Sequence, residues 1–277
     1  MATAKNKSKR LARNFHRTFI PEKQYLGALL KYAADNGELD MQAIADATGI
    51  PTGSSSGKAL PTADYCLAMH LVKVEDGRLA LTFFGRAVLL EDKFFREALT
   101  QWIAHLYLCN KEDGAETWYQ VFWNGKDILG DRFDQETLEK WICPMIGASD
   151  GKSLGPTFRM YSDENSFQKC GAIKDFSGGW KREKAPIDSS FAIGYAAWMI
   201  DAIERNKRAG GQITVDELEE FCGFRSITGW TLGESQQVLT MLEQKGVFSI
   251  DRHMHPWIVC SKTTSESLWK RLYEDFI

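Results

Sequence analysis

The pattern that decides the fold lies in residues 25–90, which read YLGALLKYAADNGELDMQAIADATGIPTGSSSGKALPTADYCLAMHLVKVEDGRLALTFFGRAVLL. Apolar residues at helical spacing predict a first helix that includes Leu26 to Ala33. A second, short helix would follow Asp40, a favourable N-cap residue, and end at Gly49. A third helix would begin near Pro61, because proline is favoured in the first helical turn.

A β-hairpin is predicted directly after the third helix. Two short segments, 72–75 and 78–82, flank Asp76-Gly77, which is the strongest short hairpin signal that a sequence offers. Three short helices followed by a two-stranded wing form a winged helix-turn-helix, a scaffold that places a helix in a DNA groove. The same fold also serves as a protein-docking module, so the pattern leaves both uses open.

A second copy of this pattern is predicted near the other end of the chain. Thr214 and Glu217 have the spacing of a capping box at the start of a helix that Gly223 would end. A further helix and two strands would follow, with the strands over 247–250 and 257–260.

Between the two modules, large apolar residues recur at helical spacing. Stripes that include Phe95, Trp102 and Tyr195 are typical of a helical core and not of a cofactor site. The sequence therefore predicts a mainly α fold, with winged helix-turn-helix modules at both ends of a helical core and small β-hairpin wings. The predicted divisions are a basic N-terminal arm (1–20), a winged helix-turn-helix (21–90), a helical core (91–210) and a second winged-helix-like module with a C-terminal helix (211–277).

The composition fits an ordinary globular protein and argues against several other classes. Hydrophobic residues make up 44% of the 277 residues, and charged residues make up 26%. No apolar run approaches the ~18 residues of a membrane span, and the N-terminus lacks the apolar segment of a signal peptide. The six cysteines are scattered without a C-x-x-C pair, which predicts buried, reduced thiols in a cytoplasmic protein and argues against structural zinc.

Positive charge is concentrated at the N-terminus. Residues 1–17 contain six Lys and Arg residues and no acidic residue, so this segment carries +6 and the rest of the chain −9. Such a composition predicts a disordered arm that follows DNA phosphates or enters a minor groove. A solubilising tail is the alternative. The arm residues expected to contact DNA are Lys9, Arg10, Arg13 and Arg17.

Three further sites are candidates for phosphate contact. The polar segment 52–58 is not a nucleotide-binding P-loop, because Gly57-Lys58 is followed by Ala59 and no buried strand precedes it. It better fits a helix start that offers hydroxyls, N–H groups and one cation to a phosphate. The two hairpin turns supply the other sites. The candidate DNA-binding residues of these three sites are Ser54, Ser55, Ser56, Lys58, Arg78, Arg252, His253 and His255.

The histidines of the second hairpin also have the spacing of a metal-binding pair. His253 and His255 lie beside Arg252, and Asp251 is the one carboxylate close to them in sequence. Two histidines and one carboxylate are a thin ligand set, so phosphate contact is favoured and no metal site is predicted.

Two glycine-containing segments, 147–155 and 178–186, are predicted to be flexible connections. The second contains Trp180 beside the cations Lys181 and Arg182. This combination is compatible with a nucleic-acid-binding loop or with a solvated hairpin, and the solvated hairpin is favoured.

The order of several short segments resembles a known protein family. The segments are NFHRTF (14–19), Gly57-Lys58, TFFGR (82–86), TWY (117–119) and SFQKCGAI (166–173). In this order they are similar to the domain-of-unknown-function 4007 family, an SspB-like family that accompanies DNA phosphorothioation genes. Ala59 departs from the family's third turn residue.

The resemblance implies a bacterial anti-phage defence protein that engages DNA during phosphorothioation, with a DNA-nicking role. It implies DNA binding at Arg17 and Lys58, which fall on matching positions, and it supplies no catalytic residue. Partners would be DNA and the system's cysteine desulfurase, ATPase and PAPS-reductase-like enzyme, since no cysteine here has the surroundings of an activated thiol.

Two alternatives from other classes remain open. A winged-helix transcriptional regulator of the same locus would act as a homodimer on half-sites about one helical turn apart. A nickase would require magnesium, although the sequence predicts no structurally bound cofactor.

Overall fold

The computed structural model describes residues 9–53, 57–206 and 212–276. Within these ranges the fold is mainly α-helical, with three small antiparallel sheets of two, three and three strands.

The N-terminal part contains three helices, a hairpin and a fourth helix. Asp40 caps the second helix by accepting the N–H groups of Gln42 and Ala43, both at 2.9 Å, and Gly49 ends it with φ +71°. Asp76 and Gly77 form the hairpin turn with φ values of +49° and +76°. The elements are α1 (Lys23–Ala34), α2 (Met41–Thr48), α3 (Ala59–Ala68), β1 (Val72–Glu75), β2 (Arg78–Leu81) and α4 (Phe83–Glu91).

The central part is built on α5, whose residues from Leu99 to Leu108 are all buried. A π-helical turn, Tyr119–Asn124, and two 3-10 turns, Gly151–Leu154 and Ser189–Phe191, interrupt the regular helices. The elements are α5 (Ala98–Leu108), α6 (Glu116–Trp118), α7 (Lys126–Leu129), β3 (Arg132–Phe133), α8 (Gln135–Ile146), α9 (Gly155–Arg159), β4 (Ile173–Phe176), β5 (Gly179–Arg182) and α10 (Ala192–Arg205).

The prediction of flexible connections at 147–155 and 178–186 is wrong for residues 151–155 and 179–182. Residues 151–159 form a 3-10 turn and α9, and Gly179–Arg182 is the central strand of the sheet β3-β5-β4. A hairpin is present at this place, as the sequence favoured, but its pairing with β3 escapes sequence reasoning because β3 has only two residues, which is too short to leave an alternating pattern.

The C-terminal part closes with the sheet β6-β8-β7. The predicted capping box is confirmed, since Glu217 N–H donates to the Thr214 hydroxyl at 3.1 Å and Thr214 N–H donates to the Glu217 carboxylate at 2.8 Å. The elements are β6 (Gln212–Thr214), α11 (Val215–Cys222), α12 (Leu232–Gln244), β7 (Phe248–Asp251), β8 (Ile258–Ser261) and α13 (Ser265–Trp269), followed by a 3-10 turn, Glu274–Phe276.

Helix α10 links these parts, because it packs against α5, α11, α12 and α13. Its Tyr195 and Trp198 are fully buried in a core that is continuous from Leu26 to Leu272. The division of the chain at residues 21, 91 and 211 remains a prediction. Among the described helices, none combines the length and the apolar character that crossing a membrane requires.

Candidate nucleic-acid interface

The basic arm is packed on the helical core from residue 9 onward. Lys9 N–H donates to the Glu112 carbonyl, and Leu11 forms an isolated parallel β-bridge with Ala115. The Arg10 guanidinium lies 2.6 Å from Glu116 and 4.1 Å from the centre of the Tyr119 ring, with 15% of the side chain exposed. The predicted disordered arm is therefore wrong for residues 9–20, because these contacts compensate for its polar composition.

Arg13 and Arg17 lie further along the same segment. Arg13 is half-buried and donates to the Ile146 carbonyl at 3.1 Å. Arg17 is exposed, with φ +55°, in a tight turn in which the His16 carbonyl accepts the N–H groups of Thr18 and Phe19 at 2.8 Å. Thr18 follows with φ +126°. Positive φ at a β-branched residue is strained, and such strain is concentrated at functional sites.

Arg159 joins Arg17 on this surface. The Arg159 guanidinium donates to the Thr18 carbonyl at 2.8 Å, directly after Arg17, and its side chain is exposed. In the described part of the chain, neither Arg17 nor Arg159 forms an ion pair within 4 Å. We call these two residues the Arg17–Arg159 surface. Sequence reasoning missed Arg159 because 141 residues separate it from Thr18.

Buried ionisable groups behind this surface respond to its charge. Burial lowers the pKa of His16 to about 4, and the charge of Arg159 acts in the same direction. Burial raises the pKa of Asp64 to about 6, and the charge of Arg17 opposes that shift. Burial is the larger cause of both shifts, and the two arginine charges are close enough to contribute to them.

Lys58, the cation that the sequence assigns to phosphate contact, already has a carboxylate partner. Its ammonium lies 2.5 Å from the Glu22 carboxylate and within 5.5 Å of the ring centres of Phe19 and Tyr25, with 26% of the side chain exposed. The neighbouring Ser54, Ser55 and Ser56 lie outside the described residues.

The third helix is covered as well. Tyr65 of α3 contacts the ring of Phe15 at 4.8 Å and donates its hydroxyl to the Phe19 carbonyl at 3.0 Å. Seven of the ten α3 residues are buried. The N-terminal segment therefore covers this part of α3, and contact of the helix start with DNA stays a prediction.

Replacing Lys58 by glutamate is expected to destabilise the fold, because the new carboxylate would face Glu22 at the present ion-pair position. Half-buried like charges in this geometry lower the free energy of unfolding by about 2 kcal/mol. Urea denaturation measures this loss. The reversed pair, Lys58→Glu with Glu22→Lys, is the matched control and should recover most of the stability. A Lys58→Glu protein as stable as the parent would contradict the structure.

The hairpin cations have different surroundings. Arg78 pairs with Glu38 at 2.9 Å and remains 54% exposed. Arg252 pairs with Glu243 at 2.7 Å and lies over the Trp257 ring, so it does not project freely from the turn as the sequence predicted. His253 and His255 are exposed on that turn. These residues belong to two separate hairpins, whereas Arg13 and Arg17 share one segment.

Solved crystal structures share the fold of this chain. A magnesium ion-bound SspB crystal structure is similar over 98% of this chain and 89% of its own chain, with a TM-score of 0.72 and 15% identity. An SspB crystal structure is similar over the same shares, with a TM-score of 0.71 and 17% identity. This chain has the SspB fold. No protein-family model matches the sequence, and no curated protein matches it.

The SspB-like fold encloses a polar cluster around His105. The His105 Nδ1 lies 2.7 Å from the Tyr161 hydroxyl, and the Trp118 indole donates to the same hydroxyl at 3.1 Å. Burial and the charge of Arg182 lower the pKa of His105 to about 3. Arg182 itself is not a solvated cation, since it donates to the carbonyls of Val121 and Phe122. Because His105 is fully buried, this cluster is part of the packed core.

All six cysteines of this chain are free thiols. Burial raises the pKa of Cys109, Cys170 and Cys222 well above the ordinary range. Cys66 is buried too, whereas Cys143 and Cys260 are half-buried. A raised thiol pKa opposes thiolate formation, so these side chains fit reduced packing residues.

Two of the six thiols are therefore expected to react quickly with Ellman's reagent in the folded protein, and all six after unfolding. The fast pair should be Cys143 and Cys260. A Cys143→Ser/Cys260→Ser double variant should lose the fast phase and keep the slow one. Rapid modification of the buried thiols in folded protein would show that the core is open to solvent.

Proposed function

We propose that this chain is a DNA-binding component of a bacterial DNA phosphorothioation system that defends against phage. One observation carries the proposal: on an SspB fold, two exposed arginines that form no ion pair within 4 Å in the described ranges meet at a strained turn, the Arg17–Arg159 surface. Among the other candidate cations, Arg10, Lys58, Arg78 and Arg252 are in ion pairs, and Arg13 is half-buried against the Ile146 carbonyl.

The Arg17–Arg159 surface fits a DNA phosphate for two reasons. Arginines that are not held in a close ion pair can exchange solvent ions for phosphates without breaking an existing pair. The tight turn at Arg17 is also fixed by backbone hydrogen bonds, so little conformational entropy is lost on binding. The sequence resemblance implies DNA binding at Arg17 as well.

We propose that both predicted modules are winged helices. We assign α1, α2, α3 and the β1-β2 hairpin to the first, and β6, α11, α12 and the β7-β8 hairpin to the second. Because α3 is covered, phosphate contact in the first module would come from the segment before α1 and not from a helix in the groove. His253 and His255, exposed on the turn of the second module, would supply a second phosphate contact.

Sulfur chemistry would belong to the cysteine desulfurase, ATPase and PAPS-reductase-like partners, since the thiols here have no activating environment. Strand nicking is the additional step that the resemblance implies. Within the ranges the structure describes, no group of three or more histidine, cysteine or carboxylate side chains could hold a metal ion. We therefore derive no step through magnesium.

Incubation of the purified protein with supercoiled plasmid, with and without magnesium, tests this proposal. Retarded migration of the plasmid in both conditions is expected if the chain binds DNA. Magnesium-dependent conversion to the relaxed form would add nicking to binding. A protected palindromic site with no affinity for other DNA would instead establish the transcriptional regulator. Unretarded plasmid in all conditions would refute the proposal.

A further inference from the structure

A pocket of about 330 Å³ opens beside the Arg17–Arg159 surface. It lies between the start of α8, the turn leading into α9, and the β4-β5 hairpin. Small-molecule sites occupy ~300–1,000 Å³, so this volume suits a ligand of the size of one nucleobase. The lining residues that matter here are Gln135, Lys152, Phe158, Arg159, Asp175 and Trp180.

One wall of the pocket is aromatic. In the sheet β3-β5-β4, Trp180 stands opposite Phe133 on one side and Asp175 on the other, so the three side chains share a face. The half-buried indole of Trp180 stacks on Phe158 of α9, with ring centres 4.4 Å apart and planes 24° apart. Aromatic surfaces of this kind stack on the π-face of any base.

Hydrogen-bond acceptors lie next to this wall. Asp175, adjacent to Trp180 on the same face, is exposed. The side-chain nitrogen of Gln135 donates to Glu139, which leaves the Gln135 oxygen as an acceptor. Two acceptors favour a ligand edge that carries an amino group, as cytosine and adenine do.

Cations lie at the mouth of the pocket. Arg159 lines the pocket and donates to the Thr18 carbonyl, so a single guanidinium links the pocket to the Arg17–Arg159 surface. The Lys152 side chain, which lies 3.1 Å from Asp150, is 89% exposed. A strand whose phosphate rests on Arg159 would have its adjacent base within reach of the aromatic wall.

We propose that this pocket binds one unpaired, amino-bearing base of a DNA strand held on the Arg17–Arg159 surface. The inference rests on the proposed DNA-binding function and assigns it a preference for DNA with an extruded or unpaired base. A base leaves the stack most easily where it is already unpaired, and proteins hold such bases by stacking and by hydrogen bonds to their edges. Trp180 provides the stacking surface, and Asp175 and Gln135 provide the acceptors.

The test compares a perfect DNA duplex with the same duplex carrying a one-base bulge of 2-aminopurine. The protein is expected to bind the bulged duplex about ten-fold more tightly, because stacking of a single base contributes on that order. Stacking on Trp180 should also quench the fluorescence of 2-aminopurine. Trp180→Leu should abolish both the preference and the quenching, whereas Trp180→Phe should retain part of each.

Asp175→Asn provides a second variant, because this exposed residue can change without disturbing the core. It should reduce the preference for a bulged cytosine over a bulged thymine, with each affinity expressed relative to that of the same protein for the perfect duplex. This variant keeps the proposal testable if Trp180→Leu fails to fold. Excess free dCMP should compete only weakly, and strong competition would assign the pocket to a free nucleotide and overturn the proposal.

The outcomes separate this inference from the proposed function. Binding of both duplexes with equal affinity, or a preference that survives in Trp180→Leu and Asp175→Asn, would overturn the inference while leaving DNA binding intact. Failure to bind either duplex would refute the proposed function and this inference with it.

Discussion

Replacing Arg17 and Arg159 together by glutamine is expected to weaken duplex DNA binding on the order of 30-fold at low salt. Two charge-assisted phosphate contacts of about 1 kcal/mol each account for this factor. Glutamine keeps a hydrogen-bond donor near the Thr18 carbonyl, so the turn at residue 17 should survive. Fluorescence anisotropy of a labelled duplex, titrated with protein at constant salt, measures the change.

A Lys270→Gln/Arg271→Gln double variant is the matched control for this experiment. Lys270 and Arg271 are also exposed, and their replacement removes the same number of charges, but they lie after α13 and pair with Glu266 and Glu274 at 2.8 and 2.6 Å. This variant should bind DNA as the parent does. An equal loss of affinity in both proteins would mean that net charge, and not the Arg17–Arg159 surface, governs binding.

Lowering the pH from 7.5 to 5 is expected to cost the protein about 2 kcal/mol of stability for each of His16 and His105. Burial lowers the pKa of His16 to about 4 and that of His105 to about 3, well below the unfolded value near 6.5. Below pH 6.5 these two histidines bind protons in the unfolded chain but remain neutral in the folded chain. Stability is therefore highest above pH 6.5 and falls until the pH reaches the folded pKa values.

Two other buried groups modify this pH dependence. Burial lowers the pKa of His70 as well, which adds to the loss at acidic pH. Asp64 acts in the opposite direction: burial raises its pKa to about 6, so the folded chain gains stability as the pH falls through that value. The loss measured in the parent therefore combines all four groups, with His70 adding to the contributions of His16 and His105 and Asp64 offsetting part of them.

Urea denaturation at both pH values, with His16→Gln and His105→Gln variants, isolates the contributions. Each variant should show a pH dependence about 2 kcal/mol weaker than the parent's, whatever its absolute stability. His255→Gln, on the exposed turn, is the control. If the parent and both core variants lose the same stability between the two pH values, these histidines do not titrate as the structure requires.

Sequence reasoning succeeded where structure is determined by neighbours in the chain. The hairpin around Asp76-Gly77 has the predicted strands, and the caps at Asp40 and Thr214 form as expected. Each of these features depends on residues within about four positions of each other, so a local pattern contains the whole physical cause.

Sequence reasoning failed where a side chain contacts a residue that is distant in the sequence. Arg10 meets Glu116, 106 residues away, and the arm that composition predicted to be disordered is ordered from residue 9. Arg182, predicted on a solvated hairpin, is buried against carbonyls of the π-helical turn. Arg159 could not be assigned to the candidate interface at all, since only the tertiary fold brings it to Thr18. Charge in a sequence identifies cations, but the fold determines which remain available.

The salt dependence of duplex DNA binding tests the central claim most directly. Each phosphate contact contributes about 0.9 to the slope of log affinity against log salt concentration. The account predicts that the parent binds duplex DNA with a steep negative slope, and that the Arg17→Gln/Arg159→Gln variant has a slope shallower by about 1.8. Identical slopes for the two proteins, or affinity in the parent that does not change with salt, would contradict it.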